Sequence, residues 1–243
     1  MRALDGFLAQ GRPVGLQTCV FWLPYFPQDM RFQFNAHNLV AYGKRGDDYL
    51  LSDPVFEDTV TCPSADLQRA RFAKGVFAPK GLIYYPESVP TAPDLEKAVR
   101  TAIKHTAKRM VDVPMPFLGV RGIRHLAKNL QRWPAKLGAH RARVWVGSVV
   151  RMQEEIGTGG AGFRFMYAAF LQEAAALLNL PALADAGRQL TETGDRWREF
   201  AVHGAMLCKG QGNEASAYDE LAAILRDCAD REERIFRALK DAV

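Results

Sequence analysis

Hydrophobic spacing along the chain changes character near residue 90. Before that point the apolar positions fall in short runs, at residues 13–23, 37–43 and 49–52, bounded by glycines, prolines and charged clusters. Runs of this length, with β-branched and aromatic members, predict strands. Lys44-Arg45-Gly46-Asp47-Asp48 separates the second and third runs, which makes them a hairpin with a glycine-containing loop. Residues 3–10 read as a short helix closed at Gly11. Ser64 offers an N-cap for one to two turns of helix through Phe72, and residues 80–85 make a last strand. Beyond residue 90 the spacing is helical. Leu95, Ala98, Val99, Ala102, Ile103 and Met110 share one stripe, with Thr91 as the cap, Pro93 near the start and Asp94 in the first turn. Further helices are predicted at about residues 119–133, 136–156, 162–178, 183–208 and 215–242, the last two separated by Gly210-Gln211-Gly212-Asn213.

The stretch from Tyr85 to Pro93 holds Pro86, Pro90 and Pro93. Proline lacks an amide donor and restricts the residue before it, so such a stretch connects rather than packs. The expected organisation is a sheet-containing part over residues 1–85, a linker at 86–93 and an all-helical part over 94–243. The fold class is α+β: a small antiparallel sheet with flanking helices, followed by a helical bundle.

Composition excludes some classes. No window approaches 18 uninterrupted apolar residues, so no membrane span and no membrane partner are expected. The first eleven residues lack the apolar core of a signal peptide, which points to the cytoplasm. Cys19, Cys62, Cys208 and Cys228 lie far apart with no C-x-x-C pair, so neither a disulfide nor a zinc site is expected. His105, His125, His140 and His203 lack ligand-spaced partners, and no metal or cofactor is predicted. The net charge of +5 matters less than its distribution: thirteen Lys or Arg lie between Lys97 and Arg151 against one acid, Asp112. A one-sided field of this kind fits an anionic partner, whether an acidic carrier protein, a phosphorylated ligand or nucleic acid. A solvated helix face fits it equally well. Nucleic acid rests on charge alone, without a helix-turn-helix or aromatic ribonucleoprotein motif. The charges of Asp230, Arg231, Glu232, Glu233 and Arg234 read as a solvated helix face. Trp133, Trp145 and Trp197 read as packing residues.

Candidate chemistry lies in the hairpin. His37 opens one strand, and Asp53, followed by Pro54, closes the next. In an antiparallel pair the start of one strand lies beside the end of its partner, so the imidazole and the carboxylate reach the same sheet edge. A carboxylate there fixes the ring tautomer and leaves the other nitrogen as a base. A hydrogen-bonded structural histidine and an Asp-Pro turn explain the same residues without catalysis.

His37 with Gly43, a charged hairpin and Asp53-Pro54 resembles the second half of papain-like cysteine peptidases. The closer resemblance is to the butirosin biosynthesis protein H family. It is carried by Gly11-Arg12-Pro13-Val14, Leu23-Pro24-Tyr25, the His37 motif, Asp53-Pro54, Leu67 and Ala70-Arg71. In the second half it is carried by Trp145, Glu155-Ile156-Gly157-Thr158-Gly159-Gly160, Phe163-Arg164, Tyr167 and Phe170-Leu171. The resemblance implies acyl transfer in secondary metabolism. A cysteine thiolate would attack an acyl-carrier thioester, His37 would move the proton, Asp53 would orient His37, and a small-molecule amine would accept the acyl group. The family carries its cysteine on a helix well upstream of the Gly-Arg-Pro-Val strand. Only ten residues precede Gly11 here, and Cys19 is expected in mid-strand, away from the helix N-terminus that activates a thiol. The expectation is therefore a shortened member, with exposed apolar surface that favours self-association. It is either an enzyme whose nucleophile segment is absent or a binding or scaffold protein that kept the fold. Cysteine peptidase activity is a third reading, from fold analogy.

The glycine-rich stretch before Phe163 admits two readings. One is a rigid turn between packed helices. The other is a ligand or partner contact at a helix N-terminus, involving Gly159, Gly160, Arg164 and Tyr167. It lacks the Gly-Lys-Ser/Thr ending of a Walker loop.

Overall fold

The computed structural model describes residues 1–155, 158–211 and 214–243. Ile156 and Gly157 of the glycine motif, the expected helix end at residue 156, and Gly212 and Asn213 of the last separator lie outside the described residues. The chain divides into two compact units, Met1–Thr91 and Ala92–Val243.

The first unit opens with helix α1 (Arg2–Ala9), ended by Gly11 at φ +68°. Strands β1 (Val14–Thr18), β2 (His37–Arg45), β3 (Asp48–Ser52), β4 (Val60–Pro63) and β5 (Ile83–Tyr84) form one antiparallel sheet in the order β4-β3-β2-β1-β5. Helix α2 (Ser64–Arg71) follows β4 directly. Along β2, His37, Leu39 and Ala41 point inward, while Asn38, Val40 and Tyr42 are exposed. That alternation is the mark of a sheet with one covered face. The covered face packs Leu16, Leu39, Ala41, Tyr49 and Leu51 against Leu4 of α1 and Leu67 and Ala70 of α2. Arg71 is buried beneath this layer and donates to Gly81 O at 3.0 Å, tying α2 to the turn before β5.

Four expectations change here. The hairpin loop is two residues, Gly46 and Asp47, because Lys44 and Arg45 continue the ladder opposite Tyr49 and Asp48 after a bulge between Ala41 and Gly43. The strand expected through residue 23 stops at Thr18: the Cys19 amide leaves the sheet for Ala70 O at 2.9 Å, and a 3₁₀ turn covers Val20–Trp22. Ser64 is not the cap but the first residue of α2, after Pro63. Strand β4 was not expected at all.

In the second unit, helix α3 (Leu95–Val111) is capped by Asp94, whose carboxylate accepts from the Lys97 amide at 2.9 Å, rather than by Thr91. Helices α4 (Gly119–Leu130), α5 (Trp133–Leu137) and α6 (Ala139–Glu154) follow. Gly138, at φ +78°, divides α5 from α6 where one helix was expected. Then come α7 (Arg164–Leu178), α8 (Pro181–Cys208) and α9 (Glu214–Ala242). One core gathers Ile123, Leu130, Val146, Trp197, Phe200 and Leu225. The other gathers Ile103, Leu171, Leu183, Leu190, Phe236 and Leu239. No helix of the described residues is long and apolar enough to cross a membrane.

Candidate functional site

β1 sets the position of His37 through the register Thr18↔His37, reinforced by the Thr18 hydroxyl donating to His37 O at 3.2 Å. Asp53 follows β3 by one residue and opens a turn in which the Phe56 amide donates to Asp53 O at 3.1 Å. Within that turn the Val55 amide donates to Asp53 Oδ1 at 3.0 Å, the side-chain-to-backbone bond that aspartate makes at turn starts. The turn reading and the pairing reading of Asp53 therefore hold together. One carboxylate oxygen anchors the turn, and the other is left for the imidazole.

His37 Nε2 lies 2.7 Å from Asp53 Oδ2, with His37 9% and Asp53 2% exposed. The same Oδ2 accepts the Tyr25 hydroxyl at 2.7 Å. Burial alone would raise the Asp53 pKa. Hydrogen bonds from His37, the Val55 amide and Tyr25 outweigh it and hold the carboxyl below its ordinary value. An ionised carboxylate only accepts, so the Nε2 of a neutral His37 must carry the ring proton. Nδ1 is then the bare, basic nitrogen, and among the described residues no group hydrogen-bonds it. The Phe26 ring stands edge-on to the imidazole at 5.5 Å, and Phe56 packs on Phe26 at 5.0 Å. These rings make the apolar wall in which the charge-assisted pair is strong.

None of the four thiols is seen bonded to His37. Cys19 is buried at the start of the 3₁₀ turn with its Sγ 3.5 Å from Gln33 Oε1. Burial, aided by Asp66 and Asp48, pushes the Cys62 thiol up to about 12. Burial, aided by Glu232, does the same for Cys228. Cys208 is exposed as a residue, yet partial burial of its thiol also raises it. A thiol raised in this way holds almost no thiolate at neutral pH.

The other predicted residues lie in the second unit, around the left-handed segment before α7. Gly159, Gly160, Ala161, Gly162 and Phe163 all have positive φ, between +48° and +84°. The glycines take this conformation freely; Ala161 and Phe163 do not. Two groups that an anion site would use, the Ala161 amide and the Arg164 guanidinium, are engaged within the chain. The Ala161 amide donates to Glu154 Oε1 at 3.1 Å. Arg164 grips Glu232 with Nε at 2.8 Å and a terminal nitrogen at 3.1 Å, donates to Ala161 O and Gly162 O, and lies over the Trp197 ring at 4.3 Å. Tyr167 packs between Phe170 and Phe236. The Trp197 indole N–H completes the centre on Glu232 at 2.7 Å. Glu232 is 0% exposed, which corrects its reading as part of a solvated face. Among the described residues, no group of three or more His, Cys, Asp or Glu is placed to hold a metal ion.

Two family models match the chain, and the second begins at residue 65, inside the first compact unit. The family model described as "Butirosin biosynthesis protein H, N-terminal" matches residues 1–54, ending one residue past Asp53. A second, described as "Domain of unknown function (DUF4872)", matches residues 65–239, more than half of the chain. The chain belongs to the butirosin biosynthesis protein H family. Its second part is a DUF4872 domain. The match to the butirosin biosynthesis protein H N-terminal model contains the whole His37, Asp53 and Tyr25 cluster, whereas the Arg164, Trp197 and Glu232 centre lies in the DUF4872 domain. No curated protein matches the chain. Tyr25 and Glu232 are the two polar residues that sequence reasoning did not assign to a centre.

Proposed function

We propose that this protein acts on an acyl-carrier thioester in the cytoplasm, by acyl transfer or thioester cleavage in secondary metabolism. His37 is the proton-transfer base and Asp53 the residue that orients it. The observation that carries the reading is the buried 2.7 Å contact between His37 Nε2 and an ionised Asp53, which leaves Nδ1 bare. Family membership supports the acyl chemistry. In the transfer that the family resemblance implies, a cysteine thiolate, which none of the four cysteines here is seen to present to His37, would attack the thioester carbonyl, and the carrier thiol would leave with the proton of the His37 imidazolium. The acceptor amine then attacks the acyl group, and Nδ1 takes the amine proton. The thirteen cations between Lys97 and Arg151 suit docking of an acidic carrier protein.

A second reading, a non-catalytic binding or scaffold protein that keeps the fold, is favoured by one observation: none of the four cysteines is seen bonded to His37. The two readings separate in one experiment. The protein is incubated with an acyl-carrier thioester, and acyl loss from the carrier is followed by intact mass. Turnover that falls about 100-fold or more in His37→Ala supports the enzyme. Turnover unchanged by that substitution, or absent altogether, removes His37 from the chemistry and leaves the scaffold reading.

A further inference from the structure

We infer that Tyr25 is a positioning residue of the His37–Asp53 pair, sharing Asp53 Oδ2 with the imidazole and so limiting how tightly the carboxylate holds the His37 proton. The inference rests on the proposed role of His37 for its catalytic meaning, though not for its test.

The geometry is specific. Tyr25 Oη and His37 Nε2 both lie 2.7 Å from Asp53 Oδ2, and the Val55 amide occupies Oδ1. A carboxylate accepts only, so the phenol donates. Burial first, and then the neighbouring Asp53 charge, raise the Tyr25 pKa, so the phenol keeps its proton and remains a donor. Two donors on one oxygen compete for its charge. With the phenol in place, His37 gains less from becoming an imidazolium than it would from a carboxylate with Oδ2 to itself. A base that must take up and release a proton in one cycle needs this moderation, because an imidazolium held too tightly is a poor acid.

The segment carrying Tyr25 is itself held. Arg31 Nε donates to Phe26 O at 2.8 Å, and a terminal nitrogen of Arg31 donates to Pro24 O, bracketing Tyr25 between two fixed carbonyls. The Tyr25 ring packs on Phe26 at 5.2 Å and on Phe56 at 5.5 Å. Its hydroxyl thus reaches Asp53 Oδ2 from within an aromatic wall.

Tyr25→Phe keeps the ring packing and removes only the hydroxyl. The His37 imidazole is titrated by NMR in the wild-type protein and in Tyr25→Phe. The expected result is a His37 pKa raised by about half a unit or more in the variant, a roughly threefold gain in proton affinity. An unchanged or lowered His37 pKa overturns the inference. A second measurement needs no variant. Two protons bonded to one oxygen lie close together, so His37 Hε2 and Tyr25 Hη should show a nuclear Overhauser contact. Both resonances observed without that contact would also overturn it. If no variant or wild-type preparation transfers acyl groups but the titration shift appears, the functional proposal fails and this inference stands. If His37-dependent turnover is found and the shift is absent, only this inference fails.

Discussion

Glu232→Leu is the most informative perturbation of the helical unit. The carboxylate accepts from Arg164 at 2.8 and 3.1 Å and from Trp197 Nε1 at 2.7 Å. The Arg164 side chain is 19% exposed and that of Glu232 1%. Removing the acid leaves a largely buried guanidinium without its counter-charge, a loss of about 3–5 kcal/mol when one partner of a buried pair is deleted. For a chain of this length each kcal/mol moves the melting temperature by about 2–4 °C, so helical circular dichroism should melt roughly 6–20 °C lower. The double variant Arg164→Met with Glu232→Leu removes both charges together, and apolar replacement of a complete pair is often neutral. It should therefore recover most of the loss, showing strong coupling in a double-mutant cycle. A Glu232→Leu protein within about 1 kcal/mol of wild type, or a double variant no better than the sum of the singles, would refute the assignment of this centre as the tie between α7, α8 and α9.

Three further outcomes follow from the same contacts. Because the folded Asp53 pKa is depressed, its contribution to stability is present above the ordinary carboxylate range and is lost as pH falls through the folded value. Urea unfolding should therefore weaken below about pH 4 in wild type and less steeply in Asp53→Asn. In alkylation followed by mass spectrometry at pH 8, exposed Cys208 should react first, while buried Cys19, Cys62 and Cys228 resist until the chain unfolds. Gly204→Ala should destabilise α8 against α6 by about 1–3 kcal/mol in urea unfolding, since the added Cβ would lie 2.7 Å from Val150 and 3.1 Å from Val146, outweighing the better helix propensity of alanine.

The parts of this fold that were legible in the sequence are those governed by local pattern. The apolar runs at 37–43 and 49–52 and the charged loop between them were enough to bring His37 and Asp53 to one sheet edge, because register in a hairpin is a local property. The helical stripes likewise placed α3, α7, α8 and α9 to within a few residues. What was missed depends on distant partners. Tyr25 sits in a proline-flanked loop, and nothing in its neighbours reveals a carboxylate 28 positions away. Glu232 lies in a charge-dense helix and looks solvated until Arg164, 68 positions earlier, turns out to face it. β4 is short, polar in part and ends at Pro63, so its strand character comes from pairing with β3 rather than from its own composition. The end of β1 was misplaced for a related reason: Cys19 is apolar enough to continue a strand, but its amide is claimed by Ala70 of α2.

The central claim is that Asp53 holds His37 in one tautomer with a basic Nδ1. Nitrogen-15 NMR of the labelled imidazole in the neutral form reads this directly. The account predicts a protonated Nε2 and a bare Nδ1; a proton resident on Nδ1, or rapid averaging between the two nitrogens, would contradict it.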